Sequence, residues 1–287
     1  MSSVLRRSLG AAGLLSLVLL AGLSVTGVAS ARVAAPQPRT NPMLRASGVP
    51  HTMTVNSRPV DLSTNWSGYG VTSSSKFNFV HSEFIQPAIK CNGTSWNYVS
   101  QWTGLDGFNS NTVEQDGTDA FCKGPDHMKP FYSAWYEMYP AASVSVFLIH
   151  PGDVIDSQVV FKHGMFTTTI TDVTTGKSSS TSAACSACQR SSAEWVVERP
   201  AFCTGACTSG FLARLANFGT AKFNNATAGV DGSRATSISS FTNTPIDMVN
   251  PKGKAFEIIA QTETLTQQGH SFKVVWQRRG TRVPITF

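Results

Sequence analysis

The feature that most limits what this chain can fold into is its hydrophobic rhythm. Short segments alternate apolar and polar residues at period two, and no long stretch keeps helical spacing. Strands are expected over Asn65–Thr72, Phe77–Pro87, Tyr98–Asp106, Phe131–Tyr139, Val144–His150, Val154–Lys162 and Met165–Val173. Further ones are expected over Glu194–Glu198, Phe211–Asn217, Ile238–Phe241, Ala255–Thr264 and Ser271–Arg278. Their richness in Thr, Val, Phe, Tyr and Trp suits a pleated, half-buried surface. Turn signals such as Pro151-Gly152-Asp153, Thr175-Gly176-Lys177 and Gln268-Gly269 separate them. Many short strands without intervening helices imply an all-β sandwich or barrel. Residues 177–192, rich in Ser, Thr and Ala, read as an exposed loop.

The N-terminus has the layout of an export signal over residues 1–31. Arg6 and Arg7 precede an apolar run from Leu9 to Leu23, and Ala29-Ser30-Ala31 offers a small-residue cleavage site. That run is short for a spanning helix of about 20 residues, so a cleaved signal and a secreted product are expected rather than a membrane anchor. Residues 32–60 are polar and carry Pro36, Pro38, Pro42, Pro50 and Pro59 without apolar periodicity, as a pro-segment or disordered arm would. Residues 61–287 suit one large domain.

Charge follows the same division. Of the 23 basic residues, six are arginines within residues 1–60, which hold no acidic residue. The 17 that remain face 17 acidic side chains, so the formal +6 sits on the part expected to be removed. A nucleic-acid binder carries its positive charge on the folded domain, and none is expected as a partner. The leading arginines either solvate an extended tail or shield an acidic cleft until activation.

Six cysteines in an exported chain point to disulfides. Cys185-x-x-Cys188 with Cys203-x-x-x-Cys207 imitates a zinc ribbon, yet an oxidising destination favours bridges. Cys91 is expected to pair with Cys122, and the other four among themselves. No metal site and no cofactor are expected, and a monomer is.

Several chemistries find no seat. None of the ten Asp begins an Asp-Thr-Gly or Asp-Ser-Gly triplet, no His precedes a Glu, and no Gly-x-Ser-x-Gly elbow occurs. A Ser-His-Asp triad is defined by geometry and is left open. Three segments instead concentrate acidic, amide and aromatic side chains: Gln101–Gly107 continuing to Glu114–Asp119, Ala134–Pro140, and Ala193–Glu198. At strand spacing, Trp102 shares a face with Asp106, Gln115 with Asp119, Trp135 with Glu137, and Glu194 with Glu198. Composition alone favours an outward, solvated face with tryptophan as filler.

The segments resemble the signature blocks of the eqolisins, the glutamic peptidases. The matching residues are Asn65-Trp66-Ser67-Gly68, Trp102 to Gly107, Gln115-x-Gly117-x-Asp119, Ala134-Trp135-Tyr136-Glu137-x-Tyr139-Pro140 and Ala193-Glu194-Trp195-Val196-Val197-Glu198, in the family's order. The resemblance implies a concanavalin-like sandwich of two packed antiparallel seven-stranded sheets and an acid endopeptidase acting on polypeptides. It puts the catalytic glutamine at Gln115 and the catalytic glutamate at Glu198, with Trp102, Asp106, Asp119, Trp135 and Glu137 lining or supporting the cleft. The chain departs from the pattern in Glu114 and Asp116, which flank Gln115 with charge, in Met138, and in its cysteines. Two other readings remain: a glycosidase pairing Glu137 with Glu198, and a carbohydrate- or peptide-binding sandwich without turnover.

Overall fold

The computed structural model describes residues 52–55, 58–203, 209–252 and 255–286. The expected signal, nearly all of the expected pro-segment and the pairing of Cys203 and Cys207 lie outside the described residues. Among those residues 21 strands occur. The first seven are β1 (Thr52–Val55), β2 (Arg58–Ser63), β3 (Trp66–Thr72), β4 (Phe77–Ile85), β5 (Asn97–Leu105), β6 (Glu114–Lys123) and β7 (Lys129–Met138). Then come β8 (Val144–Leu148), β9 (Val154–Lys162), β10 (Met165–Asp172), β11 (Lys177–Ala184), β12 (Ser192–Glu198), β13 (Ala201–Cys203) and β14 (Ser209–Leu212). The last are β15 (Arg214–Leu215), β16 (Thr220–Val230), β17 (Thr236–Ser237), β18 (Thr242–Lys252), β19 (Ala255–Thr262), β20 (Phe272–Trp276) and β21 (Val283–Thr286).

Their pairings resolve into two seven-stranded antiparallel sheets. The front sheet runs β18-β3-β12-β5-β6-β7-β8. The back sheet runs β19-β20-β16-β4-β9-β10-β11. β18, counted in the front sheet, links the two edges: Thr242–Ile246 pair with β3, and Met248–Lys252 pair with β19. β2 joins β18 in parallel and carries β1 on its other edge. The fold is thus the sandwich expected.

Alternation of side chains explains how the two sheets meet. Val99, Leu105, Ala120, Ala134, Trp195 and Val197 of the front sheet share one core with Val80, Phe84, Ile155, Val159, Phe166, Ile170 and Phe223 of the back sheet. Burying such side chains stabilises the fold by about 1.5–3 kcal/mol each. Cys91 and Cys122 form the expected bridge, tying the end of β6 to the segment before β5. Loop-closure entropy makes that link worth about 3–4 kcal/mol.

Local differences from the sequence reading have physical causes. Residues 177–184 are the edge strand β11, not a loop. Its hydroxyls pair across to β10, as in Thr167–Ser182 and Thr169–Ser180, so a ladder of Ser and Thr substitutes for apolar alternation. Ile238–Ser240 is a 3-10 turn rather than a strand. Phe211–Asn217 divides between β14 and β15. β18 went unread because Pro245 and Pro251 demote a strand pattern, and β16 because Asn, Ala and Gly dilute it. The end of the polar N-terminal stretch forms β1 and the start of β2.

Candidate active site

The face of the front sheet turned away from the core holds the chemistry. Register arranges it in rows. One runs Gly70, Glu194, Gly104, Gln115, Glu137; the next runs Gly68, Val196, Trp102, Gly117, Trp135; the third runs Trp66, Glu198, Ser100, Asp119, Ser133. Trp66, Trp102, Trp135, Val196 and Ile246 make an apolar cluster of their own, and the Trp66 and Trp102 rings meet edge to face at 5.0 Å. Glycine makes room for these rings. A Cβ on Gly117 would fall 2.4 Å from the Gln101 carbonyl oxygen and 2.5 Å from Trp102 Cβ.

Glu198 ends β12 with both carboxylate oxygens engaged. Oε2 accepts from Trp102 Nε1 at 2.9 Å, and Oε1 accepts from Asn65 Nδ2 at 3.2 Å. Hydrogen bonds to a carboxylate are the stronger kind and fix its orientation. Gln115 begins the rows' other end. Its Nε2 donates to Glu137 Oε2 at 2.5 Å, while its Oε1 has no partner among the described residues. A glutamine carries two N–H donors, so one stays available after Glu137 is served. The benzo edge of Trp102 abuts Gly104, the direct neighbour of Gln115, while its pyrrole N–H reaches Glu198. The indole therefore spans the interval between amide and carboxylate.

Gln115, Glu198, Trp102, Trp135, Asp119 and Glu137 thus share one face. Asp106 is built differently. It follows β5 at φ 67°, and its carboxylate accepts the backbone N–H groups of Gln189, Arg190 and Ser191 at 2.9, 2.7 and 2.7 Å. It clamps the loop leading into β12 and so supports the face from its end. Asp119 accepts from Ser100 Oγ at 2.8 Å, in the row of Glu198. All seven residues are buried in this structure, Gln115 and Glu198 completely.

Sequence reading missed the anchoring of Glu198. The next residue, Arg199, is fully buried, and burial lowers its pKa to about 9. Its guanidinium donates to the carbonyls of Thr64, Val249 and Thr281 and to Asn250 Oδ1. Those bonds lock the end of β12 against β18 and the segment before β3. No spacing rule marks such a residue; only its place beside Glu198 does. Asn65 stood in a quoted block, and its contact with Glu198 gives it a purpose. Neighbouring carboxyls are also held neutral, Glu194 in the row of Gln115 and Glu114 and Asp116 on the opposite side of β6, toward the back sheet. Burial pushes Glu114 up to about 9 and lifts Asp116 and Glu194 well above the carboxylate range. Among the described residues, the group with metal-ligand spacing is Glu114, Cys185 and Cys188, and its two sulphurs are joined as a disulfide.

The profile of the Peptidase A4 family matches residues 64–274. Scytalido-glutamic peptidase, solved with a peptide-based transition-state analogue, superposes with a TM-score of 0.63 at 22% identity, covering 75% of this chain and 98% of that one. SCP-B, a member of the eqolisin family solved with the tripeptide Ala-Ile-His, gives 0.62 at 21% identity with the same coverage. No curated protein matches at the sequence level. With 211 consecutive residues inside the family profile and the sandwich in place, the chain belongs to the Peptidase A4 family, the eqolisins, and is an endopeptidase of glutamic type.

Proposed function

We propose that the chain is a secreted acid endopeptidase in which Glu198 activates the attacking water and Gln115 stabilises the oxyanion. The reading rests on one observation: a carboxylate and a side-chain amide share a sheet face, each oriented by a fixed partner, with the Trp102 indole between them. They lie two strands and four residues apart. At sheet spacing this separates the backbones by about 16 Å, and two side chains reaching inward leave room for a peptide group and a water.

Glu198 would take a proton from the water as it attacks the scissile carbonyl carbon, then give that proton to the departing amine. Negative charge meanwhile collects on the carbonyl oxygen. The free N–H of Gln115 meets it without needing to be protonated itself, and a donor of this kind is worth about 10²–10³ in rate. Glu137 holds the amide in the donating orientation. Polypeptides are the substrate class. Peptide ligands in the two solved relatives support this, as does the apolar cluster of Trp66, Trp102 and Trp135 beside the dyad.

Acid operation is supported by stability. Glu114, Asp116, Glu194 and Asp247 all hold their protons higher in the fold than in the free chain, chiefly through burial. Such groups stabilise the fold fully below the ordinary carboxylate range, and that stabilisation is lost as pH rises through their folded values. The domain is therefore suited to acid. Because the face is closed to solvent in this structure, activity requires it to open.

The glycosidase alternative needs Glu137 free to act as acid or nucleophile, whereas Glu137 Oε2 is held by the Gln115 amide at 2.5 Å. The test is hydrolysis of a denatured protein across pH 2 to 7 with pepstatin present, beside a polysaccharide plate. Proteolysis with an acid optimum is expected; sugar release, or no turnover of either, overturns the reading.

A further inference from the structure

The loop that Asp106 clamps carries a second feature unconnected with the peptidase reading. Cys185 and Cys188 are bridged across only two residues, and both residues are half-buried. An open depression of about 510 Å³, lined in part by Ser73, Lys76, Ser186 and Arg190, borders Cys188. On the other side stands Glu114, 1% exposed, with Oε1 2.8 Å from Cys188 Sγ and Oε2 without a hydrogen-bond partner. A disulfide sulphur has no hydrogen to give. The contact therefore needs the proton on the carboxyl, in line with its pKa of about 9.

We propose that the Cys185–Cys188 bridge is a thiol–disulfide exchange site for small thiols, with Glu114 as proton donor to the Cys188 sulphur. A thiolate enters at Cys185 Sγ and forms a mixed disulfide, and the S–S bond breaks with its electron pair going to Cys188. The Glu114 carboxyl gives its proton to that sulphur and is reprotonated from solvent. A second thiolate attacks the mixed disulfide at the small-thiol sulphur, and Cys185 leaves as a thiolate that takes a proton from water. Two small thiols are oxidised to their disulfide, and the bridge gains two electrons and two protons. A bridge of this span removes little chain entropy, so opening it costs little, whereas Cys91–Cys122 closes a span of 31 residues and Cys122 is 3% exposed. Opening the bridge releases the chain just before Gln189, whose backbone N–H is one of three held by Asp106.

The experiment treats the native full-length chain with graded dithiothreitol, quenches with iodoacetamide and maps alkylated cysteines by mass spectrometry. Cys185 and Cys188 should be alkylated together while Cys91 and Cys122 remain bridged. Simultaneous opening of both bridges, or Cys91–Cys122 opening first, overturns the proposal. Glu114→Gln keeps shape but lacks the acidic proton, and should slow reduction of this bridge by about tenfold or more; an unchanged rate in the folded variant removes Glu114 from the step. Amide exchange supplies an independent check: Gln189, Arg190 and Ser191 should lose protection on reduction while β9 and β10 keep theirs. Unchanged protection contradicts the coupling to Asp106.

Discussion

The two sheets have the same strand count and share one core, yet their outer faces follow opposite rules. On the back sheet, β9 and β10 alternate buried and half-exposed residues, and β11 exposes every second side chain. On the front sheet, β12 is buried at every position and β6 at all but its last. Carboxyls, amides and tryptophans are therefore sealed in on the front sheet, whereas the back sheet leaves Asp156, Gln158, Thr167, Thr169 and Thr171 half-exposed. Burying an unpartnered charge is strongly unfavourable. The front sheet meets that cost by pairing Glu198 with two donors, by binding Asp106 to backbone amides, and by keeping Glu114, Asp116 and Glu194 protonated. Polar groups held this way, on neighbouring strands, form a rigid and dry environment in which electrostatic stabilisation is strongest.

That contrast can be broken by substitution. The largest effect short of the dyad itself is expected from Trp102→Phe. It keeps an aromatic ring but removes the N–H that holds Glu198, a bond to a charged acceptor worth about 1.5–3 kcal/mol. Peptidase kcat should fall by about 10- to 100-fold with KM little changed; full activity would mean the indole serves only as packing. Glu137→Gln comes next. An amide oxygen accepts more weakly than a carboxylate and its NH2 group competes for the same place, so the Gln115 side chain is held less firmly and kcat should drop by about tenfold. A change confined to KM would instead make Glu137 a substrate contact.

A subtler consequence concerns pH. Because the raised carboxyls of the front sheet hold protons that the unfolded chain releases, melting temperature should rise as pH is lowered from about 9 toward 5, and Glu114→Gln should flatten that slope. A domain that melts lower at pH 5 than at pH 8 would contradict the burial account. The smallest effect belongs to the back sheet. Thr167→Ala removes one exposed hydroxyl pair with Ser182 and should change stability by no more than about 0.5 kcal/mol, leaving proteolysis intact.

The same contrast explains what was legible in the sequence. Strands of the back sheet such as β9 and β10 announce themselves through period-two alternation, because one face is wet. β6 carries no apolar alternation at all; only the spacing of Gln115 and Asp119 marked it as extended. The site residues were recognisable as motif blocks, since chemistry fixes residue type more tightly than packing does. Arg199 was not, because its four oxygen partners come from three distant segments that meet only after folding. Nor could the sequence separate Asp106, which clamps a loop, from the residues that face the rows. Both roles use a carboxylate at a strand end, and only the partners differ. The Cys185–Cys188 pairing was one of several local choices until the loop geometry selected it.

The account turns on the carboxylate and the amide acting as a pair. The most direct measurement is kcat for a peptide substrate, from pH 2 to 7, in activated wild type, Glu198→Gln, Gln115→Ala and the double variant, with melting curves as controls. Each single change should abolish measurable turnover without lowering the melting temperature by more than a few degrees, and the double variant should be no worse than either. Wild-type turnover in folded Glu198→Gln protein at any pH in that range would contradict the account.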